Sequence, residues 1–304
     1  MTTTTPSPAT PFVEQWVPVR GGEVRVRRRP AADPSGAPTP VVFVHGAFAN
    51  GHLWDGVAAA LDGRPDLDLV LPDLPMGAHH RPMTADADLS LGGLARIVLD
   101  VADALDLDRL VVVGNDSGGA ITQVALGTVP DRFAGALLTP TETAEHFPPG
   151  YFRFLFPPLR LRSLMWATAR LLRTDVGRRL PLTFGHLIRR RLPAAEAERM
   201  MGPLWRSAGA RDDLRRVLRS VDAAELAEAS ARFDEVRASV DVAWVAGDRI
   251  FPDADADLLA AAFPNGRRVA DIDASLSLVP LDQPAAVADR LVDLVARVRA
   301  VEPA

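Results

Sequence analysis

The 304-residue sequence contains no cysteine and no lysine. The first absence excludes disulfides, thiolate nucleophiles and thiolate metal sites, and leaves the redox compartment unmarked. The second leaves arginine as the one side chain that is always positively charged, the composition that a GC-rich bacterial genome produces. A formal net charge of -5 argues against nucleic acid as the main partner, because phosphate binding needs a net basic face. No run approaches about 18 consecutive apolar residues, so no membrane span is expected. The opening MTTTTPSPATP has neither the basic nor the apolar region of a signal peptide, which makes residues 1–12 a disordered tail on a cytoplasmic chain. Neither a nucleotide fingerprint nor a convincing set of metal ligands is present, so no cofactor and no metal are expected.

A hydrophobic content of 48% over this length is enough for one large core. Val17 to Arg28 alternates apolar and polar residues around Gly21-Gly22, the pattern of an opening hairpin. Short apolar runs then follow at 41–44, 67–71, 110–113, 135–138 and 240–245, as in strands buried on both faces. Helix-length stretches at 52–61, 91–105 and 120–126 lie between them, and the alternation predicts an α/β fold with a doubly wound, mostly parallel sheet. It breaks after Leu138 and resumes near Val240. Residues 146–232 are helical in pattern, with about twice as many arginines as acids and an early run rich in Phe, Leu and Pro. They are expected to form a helical cap between core segments 13–145 and 233–304. The arginines suit a solvated face, or an anionic substrate or partner; the apolar side suits a pocket roof better than a membrane surface.

Chemistry concentrates at Gly114-Asn115-Asp116-Ser117-Gly118-Gly119, between a strand and a helix. Small residues flanking a central residue form a nucleophile elbow, where a sharp turn forces strained backbone angles on the exposed nucleophile. In that register the exposed residue is Asp116. A helix N-cap role for Asp116 is the structural alternative. A shifted register would expose Ser117 but puts Asn115 in a small position, and the Asp-Ser-Gly-Gly string of trypsin-like proteases belongs to a different fold.

With His45-Gly46-Ala47-Phe48 after an earlier strand and Trp54 beyond it, the elbow resembles the α/β-hydrolase superfamily over nearly the whole chain. The likeness is to its members with an aspartate nucleophile, the haloalkane dehalogenases and epoxide hydrolases. The resemblance implies an eight-stranded sheet and an oxyanion hole from the N–H groups of Ala47 and Ser117. It gives His45 a structural part. It also implies a triad acid, for which Asp248 and Glu142 are both candidates, in Gly247-Asp248-Arg249 and Thr141-Glu142.

The family's catalytic histidine is expected in the loop Ile272 to Pro284, which contains none; Ser277 falls where the base should be. Without a base to activate water, an aspartyl ester would form and stall. Ser117 and Ala47 stand where dehalogenases carry halide-binding groups, and Tyr151 is the one tyrosine where epoxide hydrolases use two. His79 and His80, in a loop bordering the pocket, and His146, opening the cap, are candidate substitutes. As a metal site the His79-His80 pair lacks a third ligand. Phe48, Trp54, His146, Phe147, Tyr151, Trp166 and Ser277 are the candidate substrate contacts.

Three functions compete. The leading one is an enzyme using Asp116 as a general acid or base, its pKa raised by burial, on a mainly apolar small molecule, in cyclisation, elimination, isomerisation or lyase chemistry of a biosynthetic tailoring kind. The alternative is a noncanonical hydrolase of an ester, lactone or halide, with Asp116 as nucleophile and a substitute histidine. The third is a small-molecule receptor, because gibberellin receptors resemble hydrolases that lack the same histidine. A homodimer is compatible with all three.

Overall fold

The computed structural model describes residues 11–32, 38–181 and 183–301, and the side chains of Tyr151 and Phe152 lie outside that description. The tail expected at 1–12 is therefore described only in its last two residues. Strands β1 (Val13–Val19) and β2 (Gly22–Arg29) form the opening hairpin, with Gly21 at φ 78° in the turn. Six further strands follow: β3 (Thr39–Val44), β4 (Leu67–Pro72), β5 (Leu110–Gly114), β6 (Phe133–Leu138), β7 (Ser239–Val242) and β8 (Gly266–Arg268). They make one eight-stranded sheet in the order β1-β2-β4-β3-β5-β6-β7-β8, antiparallel at the hairpin edge and parallel from β4 to β8.

The sheet is buried on both faces because its central strands carry apolar residues in both alternating sets. Val42, Val44, Val112 and Leu138 point to one side, against α2 (Leu91–Ala104) and α3 (Ser117–Thr128). Val41, Phe43, Val111 and Val113 point to the other, against α1 (Asp55–Ala60) and the C-terminal helix Pro284–Val301. The helix expected over 52–61 starts as a 3-10 turn at Gly51–Trp54, where the Asn50 side chain accepts from the His52 N–H and caps it. The expected 240–245 strand stops at Val242.

Between β6 and β7 the chain runs through α4 (Gly150–Leu159), α5 (Arg162–Leu172), α6 (Asp175–Arg179), α7 (Ala194–Arg206), α8 (Ala208–Ser220) and α9 (Ala223–Ser230). Helix α5 rests on the rest of the protein through Met165, Ala169 and Leu172, a one-residue-wide seam, and exposes its other faces. No helix among the described residues is long and apolar enough to cross a membrane.

The junction of β5 with α3 is closely packed. A Cβ at Gly118 would lie 2.2 Å from the carbonyl oxygen of Val44 in the neighbouring strand, a backbone atom that cannot swing away. Gly118→Ala should therefore destabilise the fold by about 3 kcal/mol, read as a lower urea midpoint with an unchanged m-value.

Candidate active site

Asp116 has φ 54° and ψ −143°, a strained conformation for a residue with a side chain, and it stands at the start of α3 without making a side-chain capping bond. Backbone bonds hold it there. Its N–H donates to the Pro140 carbonyl at 2.8 Å, its carbonyl accepts from the Gly119 N–H at 2.8 Å, and Thr141 Oγ1 donates to that carbonyl at 2.8 Å. The carboxyl lies over Gly46, where a Cβ would come within 2.1 Å of Asp116 Oδ2. The glycine of the His45-Gly46 motif is thus a requirement of close approach. His45 is sealed behind it: Nε2 accepts from the Leu74 N–H at 2.8 Å while Nδ1 faces the Gly46 carbonyl at 2.9 Å. Burial pushes its pKa down to about 4, so it is a neutral structural imidazole.

Asp116 faces a cavity of about 490 Å³ between the sheet's carboxyl ends and the helical insertion. Leu155, Phe156, Leu159, Leu172, Phe184 and Leu187 contribute apolar wall from the insertion. The polar side chains on the wall are Asp116, Ser117, Glu142, Thr168 and Thr183, and no histidine lines it among the described residues. Burial raises the Asp116 carboxyl to about 6, against the Ser117 N–H and hydroxyl, which favour its charged form; the charge of Asp248 raises it further. Glu142 is pushed up to about 8, first by burial and then by the charge of Asp116. The two carboxyls are therefore set apart, Asp116 mainly ionised and Glu142 mainly protonated near neutral pH.

Of the two expected oxyanion donors, the Ala47 N–H is engaged by Ser117 Oγ at 3.0 Å, and that hydroxyl lies 3.4 Å from Asp116 Oδ2. Asp248 is raised by burial, with the N–H groups of Phe251 and Ile250 and the Ser277 hydroxyl opposing. Ser277 Oγ sits 2.9 Å from each Asp248 oxygen and is fully buried. Neither residue is on the cavity wall, although their neighbour Leu278 is. The Asn115 side chain, not anticipated as a site residue, ties the loops together by donating to the Ser277 carbonyl at 2.8 Å and the Pro140 carbonyl at 3.3 Å. Its position inside the elbow was the available signal.

Several expected contacts lie elsewhere. His79 is buried against Asp213 with Nε2 3.0 Å from its carboxyl, His80 binds Asp73 at 3.0 Å, and His146 binds Asp255 at 2.7 Å on a half-exposed side chain. The structure does not bring these three histidines to the cavity, because each is drawn to a carboxylate outside it. Phe48 lines the cavity; Trp54 is core, tilted against Phe43. Trp166 is 53% exposed on α5 under the Arg170 guanidinium, and Phe147 lines a small adjoining pocket that shares Ala47, Ser117 and Glu142. The Tyr151 side chain lies outside the described residues.

The raised carboxyls carry a stability consequence. An acid whose folded pKa exceeds its unfolded value contributes stability that is full below the unfolded pKa and lost as pH rises through the folded one. For Glu142 that window runs from about 4.5 to about 8. Glu142→Gln should accordingly melt increasingly above the wild type between pH 5 and pH 8.5 in paired calorimetric scans; a constant Tm difference would contradict the assignment.

Residues 39–275 match the family model described as alpha/beta hydrolase fold. A probable esterase, PIR7A, of Oryza sativa subsp. indica is 38% identical over 97 residues, 32% of this chain and 36% of the esterase. A poly(3-hydroxyalkanoate) depolymerase of Ectopseudomonas oleovorans is 29% identical over 143 residues, 46% of this chain and 47% of the depolymerase. The chain thus spans about a third of the first and about half of the second. The haloalkane dehalogenase DbeA from Bradyrhizobium elkani USDA94 superposes with a TM-score of 0.76 at 17% identity, over 96% of this chain and all of that one, a likeness of fold. The match over most of its length makes this chain a member of the alpha/beta hydrolase fold family.

Proposed function

We propose that the protein is a hydrolase of a mainly apolar small molecule, enclosed under the helical cap and attacked by the Asp116 carboxylate. The observation that carries this is the placement of Asp116 at a strained elbow, at φ 54°, with its carboxyl on the wall of an otherwise apolar cavity. The family match and the esterase and depolymerase relatives favour hydrolysis over the cyclase, isomerase or lyase chemistry that composition and elbow alone allow. A substitute histidine is not part of the proposal, since His79, His80 and His146 are bound to Asp213, Asp73 and Asp255. Ser277, hydrogen-bonded to Asp248, is taken to occupy the place of the family's base.

Proton transfer by Asp116 without a covalent step is the second reading. Its specific support is the pair of carboxyls in one cavity, Asp116 at about 6 and Glu142 at about 8, one a base and the other an acid at neutral pH.

Intact-protein mass spectrometry after exposure to activated esters, haloalkanes and epoxides separates the two. Nucleophilic attack predicts a substrate-sized mass increment mapped to the peptide containing Asp116 and absent in Asp116→Asn, whose kcat/KM on a turned-over substrate should fall on the order of a thousandfold. Turnover that depends on Asp116 with no increment at any time favours proton transfer.

A further inference from the structure

We propose that Glu142 stands in for the missing histidine, first as the acid that protonates the leaving group and then as the base that activates water, and that the substrate accordingly reacts at a C–O bond. This rests on the reading of Asp116 as nucleophile. The segment carrying Glu142 is stitched to the elbow: the Thr139 N–H donates to the Gly114 carbonyl, Pro140 and Thr141 bond the Asp116 backbone, and buried Gln123 donates to the Glu142 carbonyl at 2.7 Å. The Glu142 carboxyl, 3.3 Å from Thr141 Oγ1, lines the same cavity as Asp116. The charged group that acts on it is Asp116, not an arginine or histidine, so it is not committed to an ion pair.

A departing halide needs donors and no proton, whereas a departing alkoxide needs a proton. Among the described wall residues there is no Trp, Asn, Arg or His to receive a halide, and Glu142 is the one acid held protonated near neutral pH. In the first step the Asp116 carboxylate attacks carbon, the C–O bond breaks with its electron pair on oxygen, and the Glu142 proton passes to that oxygen. Asp116 is now a neutral ester. Glu142 has given up its proton, and of the two influences that raise its pKa, burial and the Asp116 charge, the second has gone, so the Glu142 carboxylate is available at the moment a base is needed. It takes a proton from water as the hydroxide adds to the ester carbonyl carbon. Collapse of the adduct expels the alkoxide, which recovers a proton from Glu142. Asp116 is left as a carboxylic acid, and its proton returns to Glu142, the more basic of the pair.

The test compares 1,2-epoxyhexane, whose leaving oxygen needs a proton, with 1-bromohexane, whose bromide does not, by product analysis and intact mass on wild type, Glu142→Gln, Asp116→Asn and Ser277→His. The expected pattern is epoxide turnover by wild type lowered at least a hundredfold in Glu142→Gln without ester, and a bromohexane-derived ester on Asp116, formed slowly for want of halide donors, that persists in Glu142→Gln but is cleared by wild type, where Glu142 releases its proton to solvent once Asp116 is esterified, and by Ser277→His. Epoxide turnover in Glu142→Gln within threefold of wild type, or ester cleared as fast as in wild type, overturns the Glu142 assignment and leaves Asp116 as nucleophile intact. No ester on Asp116 in any variant, Ser277→His included, overturns the nucleophilic reading and the assignment with it.

Discussion

The constraint on which the site depends is the placing of carboxyl groups in an apolar cavity without cations beside them. A buried carboxylate is costly unless it is paired, and elsewhere in this arginine-rich chain it is paired: Asp73 holds Arg25 and His80, and Asp241 holds Arg267 and Arg297. Asp116 and Glu142 have no such partner in their electrostatic surroundings, and burial is the largest influence on each. Burial favours the neutral acid at each, and the charge of Asp116 adds to it at Glu142, which stays mainly protonated near neutral pH. The proposed function rests on this condition, which structural carboxylates such as Asp73 do not share.

That condition is maintained by backbone, not by side-chain pairing. The elbow, the Thr139–Glu142 segment and the Ser277 loop are tied to one another through main-chain bonds and the Asn115 amide. The Ser277 loop is bound in turn to the helical insertion, where the Leu278 N–H donates to the Leu187 carbonyl and Arg189 Nε donates to the Ser275 carbonyl. A residue in any of these segments can therefore affect Asp116 without touching substrate. Close packing of Gly46 and Gly118 against their neighbours leaves little slack for the carboxyl to move.

The sheet was legible in the sequence because its central strands are continuous apolar runs, and the elbow because small residues bracket Asp116 between a strand and a helix. The edge strand β8, three residues ending in two arginines, carries no apolar pattern and gave no signal. The histidines misled for a physical reason: a sequence shows a titratable side chain near a pocket loop but not the carboxylate across the chain that will claim it, such as Asp213 for His79, 134 residues away. Trp54 and Trp166 were equally ambiguous, since an aromatic residue near a motif can be core, wall or surface. Part of the apolar wall, Leu155 and Phe156, came from the Phe, Leu and Pro-rich stretch, but which of its side chains face inward depends on how the insertion packs.

The most direct test of the central claim is a single turnover of epoxide in H2¹⁸O with enzyme in excess. Attack by Asp116 predicts that the product of this first turnover carries ordinary oxygen from the Asp116 carboxyl, while the peptide containing Asp116 acquires the label. Label in the first-turnover product with none in Asp116 would mean that water attacks the substrate directly, and would contradict the account.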